Sequence, residues 1–421
     1  MNIEDLEWKS SGPLLICGNL PWVTTDALSR LVDDYQLKIR DNPKNLKGLD
    51  ALTGSGSFDI SERLALRFVS IAIEQRNANI ALLLKESVAR RVLVECRNQF
   101  AKAAVVKVDS REWFDVKVSS CLLHLQFMEG ALPVHEVEYY QDFEGECTEV
   151  WTLYDGIVRR RSKESRKKPP VLSNITWRHG IKHDAAAVFE LDLTDARDAE
   201  QRAIFERSAE SSYLYPLVTA RSLQRADLQT FSRYMLVPQK RLGDTSIESD
   251  AQGLVELDYL RSKRDSLLKR RSSIYRKKPF YAIFGIGHYS FAPFKAAVAG
   301  LYLRPRFCFL GPVHGKPIVL GDTAYFFPSD SAIDAAIIVA LGNEAVITAE
   351  ICEMAFTGKR PITKRLLDSL DFKRAFDRAD SRTLEKQVVE LIEQWGPDKL
   401  EVPQYKEISE RADTLLRNLV A

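Results

Sequence analysis

The 421-residue sequence predicts an α/β protein in which a partial sheet is followed by an α+β domain. Strand-like apolar runs and helical patterns alternate over residues 14–127, as in α/β folds. From about residue 131, short β-like runs alternate instead with basic loops and Gly/Pro punctuation. Hydrophobic residues make up 45% and charged residues 28% of the chain, which indicates a globular protein and excludes a disordered one.

The elements of the first region follow from hydrophobic periodicity. Residues 14–18 form a continuous apolar run, which predicts a buried strand. Asp59 precedes apolar residues at helical spacing, which predicts a helix. The same reasoning predicts a strand at 79–84, a helix at 87–97, strands at 105–108 and 116–127, and a turn at 109–115.

The second region has weaker patterns. It contains β-like runs at Val218, 281–284, 307–310, 318–320 and 325–327. From Ser381, apolar residues occupy one helical face until Gly396-Pro397 ends the pattern. We therefore predict three parts, residues 1–130, 131–370 and a helical segment at 371–421.

Several features bear on location. No apolar run approaches the roughly 20 residues that a membrane helix needs, and residues 1–5 (MNIED) lack a signal-peptide core. The six cysteines are scattered without a Cys-x-x-Cys pair, which favours reduced thiols and disfavours a zinc ribbon. We expect a cytoplasmic protein that has no membrane association.

Basic residues are concentrated in two runs although the net charge is only +2. The first extends from Arg159 to Lys168 and the second from Arg261 to Lys278. Two such runs in a near-neutral chain are compatible with a polyanion partner. Each run alone is equally compatible with a solvated loop or a charged helix face.

The run LLICGNLPWV (14–23) carries a possible chemical motif. The exocyclic nitrogen of adenine is a poor nucleophile because its lone pair is delocalised into the ring. An amide acceptor and a backbone carbonyl can hold both of its N–H groups, a proline fixes the backbone, and an aromatic ring stacks on an extruded base. Asn19, Leu20, Pro21 and Trp22 supply this set in order. A Gly-Asn-x-Pro turn with a core tryptophan is the competing interpretation.

Longer segments extend the match. GNLPWVT (18–24) resembles the catalytic Asn-Pro-Pro-aromatic motif of γ-class N6-adenine DNA methyltransferases, found in restriction–modification and phage-defence loci. Segments similar to that family's later catalytic motifs follow at 48–62, 80–93 and 114–127. Segments similar to its target-recognition half lie at 177–184, 271–302, 311–328 and 359–367.

This resemblance implies a fold and a function. It implies a partial class I methyltransferase (Rossmann-like) sheet in residues 1–130, which begins at the catalytic-motif strand, and a DNA target-recognition domain in residues 131–370. It implies S-adenosylmethionine as cofactor, double-stranded DNA as substrate, and catalytic roles for Asn19, Leu20, Pro21 and Trp22. Leu20 replaces the family's first proline; its carbonyl remains available but is held less rigidly, so reduced activity is expected.

The family's Gly-rich cofactor turn is missing from its usual place, since only thirteen residues precede Leu14. The downstream run IFGIG (283–287) is rejected, because the next strand (306–311) lacks the acidic residue that an adenosyl site needs about 20 residues on. We expect a second protein chain to supply the first strands and the cofactor site. The alternative is an inactive pseudo-methyltransferase that serves as a DNA-binding specificity module.

Further residues are candidates by resemblance or charge. Phe114 matches a family aromatic that contacts the flipped base, although a hairpin-core role is equally compatible. His179 and His183 are four residues apart but lack a nearby third ligand, so no metal site is predicted. Possible phosphate or base contacts are Arg178, Lys182, Tyr289, Lys295, Lys359, Arg360 and Lys364.

Overall fold

The computed structural model describes residues 12–22, 59–147, 149–154, 156–163, 175–192, 199–206, 210–226, 228, 231–356 and 361–420. Several predicted features lie outside these ranges, namely residues 1–5, Val23 and Thr24, residues 48–58, the end of the first basic run, Lys359 and Arg360. The chain divides into two compact units, Met1–Pro169 and Pro170–Ala421.

The first unit is built on one large mixed sheet of seven strands in the order β1-β2-β4-β3-β5-β6-β7. Its elements are β1 (Leu14–Asn19), α1 (Ile60–Gln75), β2 (Asn77–Lys85), α2 (Glu86–Glu95), β3 (Lys102–Val108), α3 (Ser110–Phe114), β4 (Ser120–Met128), β5 (Glu136–Tyr140), β6 (Glu149–Tyr154) and β7 (Ile157–Ser162). The predicted α/β class is thereby confirmed for this unit.

Strand directions in this sheet determine where the strand ends meet. β1 pairs in parallel with β2, and β4 is antiparallel to both β2 and β3. β1, β2 and β3 therefore run in the same direction, and their carboxyl ends lie at one end of the sheet. Buried residues alternate along β2 and β4, so each strand turns one face to the core.

Two helices follow the predicted pattern closely. Asp59 caps α1 by accepting a hydrogen bond from the Ser61 amide at 3.2 Å. α2 begins directly after β2 and buries Val88, Val92 and Leu93. The segment predicted as a turn at 109–115 contains the short helix α3, because Asp109 accepts hydrogen bonds from the first amides of that helix.

Two predictions for this unit need correction. β1 is a strand as predicted, but only Ile16 of its six residues is buried, because β1 is the edge of the sheet and pairs only with β2 in the described part of the chain. The predicted boundary at residue 130 also fails to match the compact units. β5 pairs with β3, and β6 and β7 extend the ladder, so the sheet continues to Ser162.

The second unit contains two four-stranded sheets, ordered β14-β10-β11-β9 and β13-β12-β15-β8. Its strands are β8 (Arg178–His179), β9 (Glu190–Asp192), β10 (Leu214–Val218), β11 (Arg233–Leu236), β12 (Phe294–Ala299), β13 (Phe307–Leu310), β14 (Val319–Leu320) and β15 (Ala324–Ser329). The β-like runs at 307–310, 318–320 and 325–327 coincide with strands. The run at 281–284 does not, since only Phe284 makes an isolated bridge, to Lys182.

Helices complete the second unit. They are α4 (Ala186–Phe189), α5 (Ala199–Glu206), α6 (Ala220–Arg225), α7 (Leu254–Ser262), α8 (Arg264–Leu268), α9 (Ala332–Gly342), α10 (Ala345–Met354), α11 (Lys364–Asp368), α12 (Phe372–Arg378), α13 (Ser381–Glu393) and α14 (Tyr405–Val420). α13 ends before Gly396-Pro397 as predicted. The helices from 364 onward belong to the same compact unit as the two sheets, so residues 371–421 are not a separate unit.

α9 is the central helix of the second unit. Nine consecutive residues from Asp334 to Gly342 are buried. In the described ranges, no single helix is long and apolar enough to cross a membrane; α9 and α10 meet that test only when joined, across a bend of 66°.

Candidate active site

The predicted motif lies at the carboxyl end of the first-unit sheet. β1 ends at Asn19, β2 ends at Lys85, and β3 leads through Asp109 into α3. In sheets with parallel strands this end is where ligands bind, because loops after the strands converge there. Asn19, Leu20, Pro21 and Trp22 therefore occupy a position from which they can contact a ligand.

The structure brings Trp22 and Phe114 together. Their ring centroids are 6.3 Å apart and their planes meet at 78°, an edge-to-face arrangement that aromatic pairs favour. The indole N–H of Trp22 points to the Leu83 carbonyl oxygen at 3.5 Å. Phe114 is 44% exposed, so it is not a core residue of the hairpin. The pair forms an aromatic corner beside the end of β1.

The motif's polar atoms face outward. Asn19 and Pro21 are exposed, and Leu20 is half-buried. Among the described residues, no hydrogen bond engages the Asn19 side-chain amide. Its oxygen is therefore available as an acceptor, as the predicted chemistry requires.

A partly buried ion pair fixes the backbone of the motif. The Lys85 ammonium lies 2.6 Å from the Asp59 carboxylate and also donates to the Trp22 carbonyl oxygen at 3.1 Å. The Asp59 side chain is almost fully buried and also accepts from the Ser61 hydroxyl at 2.6 Å. Lys85 thus joins the ends of β1 and β2 to the start of α1. Sequence reasoning assigned Asp59 only to the helix start and missed Lys85; its place at the end of a strand beside the motif was the available signal.

The glycines of the Gly-x-Gly run 285–287 lie against neighbouring residues of the second unit. Gly285 has φ +69°, and a Cβ there would lie 2.7 Å from the Gly180 carbonyl oxygen. A Cβ on Gly287 would lie 2.6 Å from the Tyr289 ring. Both glycines are thus used for packing within the second unit, which supports the rejection of this run as a cofactor loop.

The candidate contacts in the second unit have different surroundings. The Arg178 guanidinium lies over the Tyr289 ring, 4.7 Å from its centroid. Lys182 is 3.5 Å from the Asp184 carboxylate, and Lys364 forms an ion pair with Asp368 within α11.

Lys295 requires a correction. It is 1% exposed on β12, its ammonium donates to the Ala292 carbonyl oxygen, and burial lowers the pKa of Lys295 to about 7. A lysine enclosed in this way does not reach a phosphate. The sequence suggested Lys295 as a DNA contact because of its charge, and charge does not indicate which face of a strand a residue occupies.

The basic runs are also partly structural. Arg159 is buried on β7, and Arg161 pairs with Glu136 at 2.9 Å, so this part of the first run is a strand and not a solvated loop. In the second run, the Arg270 guanidinium donates to the carbonyl oxygens of His183, Ala282 and Phe280 at 2.6–3.0 Å. Arg270 therefore links loop segments of the second unit through hydrogen bonds to their backbone.

The two histidines are also engaged by neighbouring side chains. His179 packs against Tyr325, with ring centroids 4.6 Å apart, and His183 lies 3.2 Å from the Glu190 carboxylate. The described residues contain no group of three or more His, Cys, Asp or Glu that could hold a metal ion.

Comparison with known proteins adds a family relationship. No protein-family model matches the chain. The type II methyltransferase M.NspV of Nostoc sp. is 34% identical over 385 residues, which cover 87% of this chain and 78% of that protein.

Two solved structures show weaker similarity. The type IIL restriction-modification enzyme MmeI, in complex with DNA, aligns over 96% of this chain and 54% of its own, with 13% identity and a TM-score of 0.43. The type IIG restriction endonuclease BpuSI aligns over 84% of this chain and 48% of its own, with 11% identity and a TM-score of 0.29. The chain thus spans about half the length of these two enzymes.

Proposed function

Because the chain belongs to the type II methyltransferases of restriction–modification systems, we propose that it methylates the N6 amino group of adenine in double-stranded DNA. Family membership implies S-adenosylmethionine as the methyl donor. The observation that carries the adenine assignment is the Trp22–Phe114 corner next to Asn19, whose side chain no described residue engages, at the carboxyl end of the sheet.

The residues have distinct roles in this proposal. The adenine is extruded from the duplex, because its N6 atom cannot be reached inside the helix, and it stacks against the aromatic corner. The Asn19 side-chain oxygen accepts one N–H of the amino group, and the Leu20 carbonyl oxygen accepts the other. These two acceptors draw the nitrogen toward a tetrahedral geometry. In that geometry the lone pair is localised on the nitrogen and no longer delocalised into the ring, so the nitrogen is a better nucleophile. Lys85 is a positioning residue, because it fixes the Trp22 backbone.

We further propose that the cofactor cradle is supplied by a second protein chain that adds strands to β1. Leu15 is 65% exposed on this edge strand, and Cys17, two residues on, is exposed as well. An exposed apolar edge is a template for strand addition. The parallel pairing of β1 with β2 supports the same proposal, since parallel strands are normally covered on both sides.

The catalytic assignment is tested with Asn19 variants. The experiment uses cells that express the chain together with the neighbouring reading frames. In these cells, Asn19→Ala is expected to lower the rate of plasmid methylation about 10²–10³-fold. This is the typical effect of removing one hydrogen bond to a group that develops charge in the transition state. Asn19→Asp keeps an oxygen acceptor and should retain more activity. DNA affinity, measured by titration, should barely change because phosphate contacts dominate it.

Two outcomes contradict this assignment. If Asn19→Ala methylates DNA at the unmutated rate, the motif has no role in the reaction. If the unmutated chain transfers no methyl group in the presence of its partner, the pseudo-methyltransferase alternative, which the replacement of proline by Leu20 favours, is the better account.

A further inference from the structure

A cleft in the second unit combines an arginine with aromatic walls. It has a volume of about 460 Å³ and lies between β8, the turn at His288–Phe291 and the end of β15. Its lining includes Arg178, Tyr289, Phe327, Ser329 and Asp330. We call it the Arg178 cleft. Neither the catalytic motif nor the cofactor assignment involves these residues.

The Arg178 side chain is held by a ring and not by an acid. Its guanidinium lies 4.7 Å from the centroid of Tyr289, and that ring in turn packs against Phe326 at 6.3 Å. Among the described residues, no hydrogen bond or ion pair engages the Arg178 guanidinium. Its planar set of five N–H donors is therefore held in one orientation, and no described protein group competes with a ligand for these donors.

A glycine makes this arrangement possible. A Cβ on Gly287 would lie 2.6 Å from Cε1 of Tyr289, closer than two non-bonded carbon atoms approach. The ring can fold back over this position only because Gly287 has no side chain. Tyr289 also lies in a short 3₁₀ turn, closed by the Ser290 amide donating to the Gly287 carbonyl oxygen at 2.9 Å. The support for Arg178 is thus fixed by local backbone geometry.

The charge of the cleft distinguishes between possible ligands on DNA. Asp330 contributes a carboxylate that is exposed at the same cleft. A carboxylate opposes binding of a phosphate, whereas base edges are neutral and carry both donors and acceptors. In the major groove, guanine presents O6 and N7, two acceptors spaced for bidentate contact with a guanidinium.

We infer that Arg178 recognises one guanine of the DNA target through its O6 and N7 atoms, with Tyr289 as the positioning residue that holds the guanidinium flat. This inference rests on the proposed function only in taking duplex DNA as the substrate. It makes Arg178 a determinant of sequence specificity and assigns it no part in methyl transfer.

The test is a binding selection from a pool of random DNA duplexes with the full chain. The unmutated chain is expected to enrich a motif that contains a guanine. Arg178→Lys keeps the charge but loses the bidentate fork, so the preference at one guanine position should disappear, and affinity for the enriched motif should fall about 5- to 150-fold. Gly287→Ala should weaken the same preference, because it displaces the Tyr289 ring.

A matched control is available in the same unit. Arg264 on α8 also lies over an aromatic ring, at 5.5 Å from the centroid of Phe280, but outside the cleft. Arg264→Lys should leave the enriched motif unchanged.

Three outcomes would overturn the inference. The first is that Arg178→Lys preserves the preference at every guanine. The second is that Arg178→Ala lowers affinity equally for all sequences and reduces the slope of log affinity against log salt concentration by about one. That result would identify a contact to a phosphate of the DNA backbone. The third is that the unmutated chain enriches no motif. Since the selection involves no methyl transfer, failure of the catalytic proposal leaves its result unaffected.

Discussion

The two edges of the first-unit sheet differ in the side chains that they present. β1 has the sequence LLICGN, with Leu15 exposed and the predicted catalytic residues directly after it. β7 has the sequence IVRRRS and carries three arginines, one of them buried and another paired with Glu136. Charged side chains on an edge strand oppose the addition of a further strand.

The difference favours β1 over β7 as the edge for the assembly that we propose. At β7, a partner strand would have to bury or displace arginines, which is costly. At β1, added strands would pair with the backbone and place new residues next to Asn19, and the helices that connect such strands would cover the apolar side chains on the face of the sheet. On β7, the basic residues of the first run are therefore also compatible with protection of an edge.

The largest effect in this comparison is expected from Leu15→Lys on β1. A partner that adds parallel strands also brings helices that cover the faces of the sheet, so a lysine here would be buried under them without a counter-charge. An unpaired buried charge costs several kcal/mol, equivalent to a hundredfold or greater loss of partner affinity. Methylation of plasmid DNA in cells with the neighbouring reading frames should fall accordingly. The free energy of unfolding of the isolated Leu15→Lys chain should lie within about 0.5 kcal/mol of the unmutated value, since Leu15 is exposed. Unchanged methylation would show that nothing pairs with β1.

A smaller effect is expected from Trp22→Ala in the aromatic corner. Loss of the ring should weaken capture of the extruded base by roughly 1–3 kcal/mol of stacking. The measurement is the fluorescence of 2-aminopurine placed at the target adenine, which rises when the base leaves the stack. If Trp22→Ala gives the same fluorescence increase as the unmutated protein, the ring does not contact the base.

The smallest effect is expected at the other edge, and it serves as the control for Leu15→Lys. Arg161→Gln removes a charge and the pair with Glu136, a contact of the kind that contributes about 0–1 kcal/mol. Plasmid methylation should stay within about twofold of the unmutated level. A loss as large as that of Leu15→Lys would mean that the two edges are not functionally different.

Local patterns were sufficient for much of the first unit. The helix after Asp59 and the strands around Ile80 and Leu123 were predicted because apolar residues recur at the helix or strand period. The Asn19–Trp22 motif was located for a similar reason, since its parts are adjacent in sequence. Its neighbour Phe114 is brought to Trp22 by the parallel direction of β1, β2 and β3, and here the resemblance to a family supplied what periodicity could not.

Non-local pairing explains what was missed. The sheet continues past residue 130 because β5 pairs in parallel with β3, a contact between distant segments. Arg159 and Lys295 were treated as surface charges, yet burial depends on which face of a strand packs against the core. The role of Lys85 follows from its contacts with Asp59 and Trp22, 26 and 63 residues away in sequence.

The identity of the methylated nucleoside tests the proposed function most directly. DNA from cells that express the chain with its neighbouring reading frames is digested to nucleosides and analysed by mass spectrometry. We expect N6-methyldeoxyadenosine, and its loss when Asn19 is replaced by Ala. Detection of a methylated deoxycytidine in its place, or of N6-methyldeoxyadenosine at an unchanged level in the Asn19→Ala strain, would contradict it.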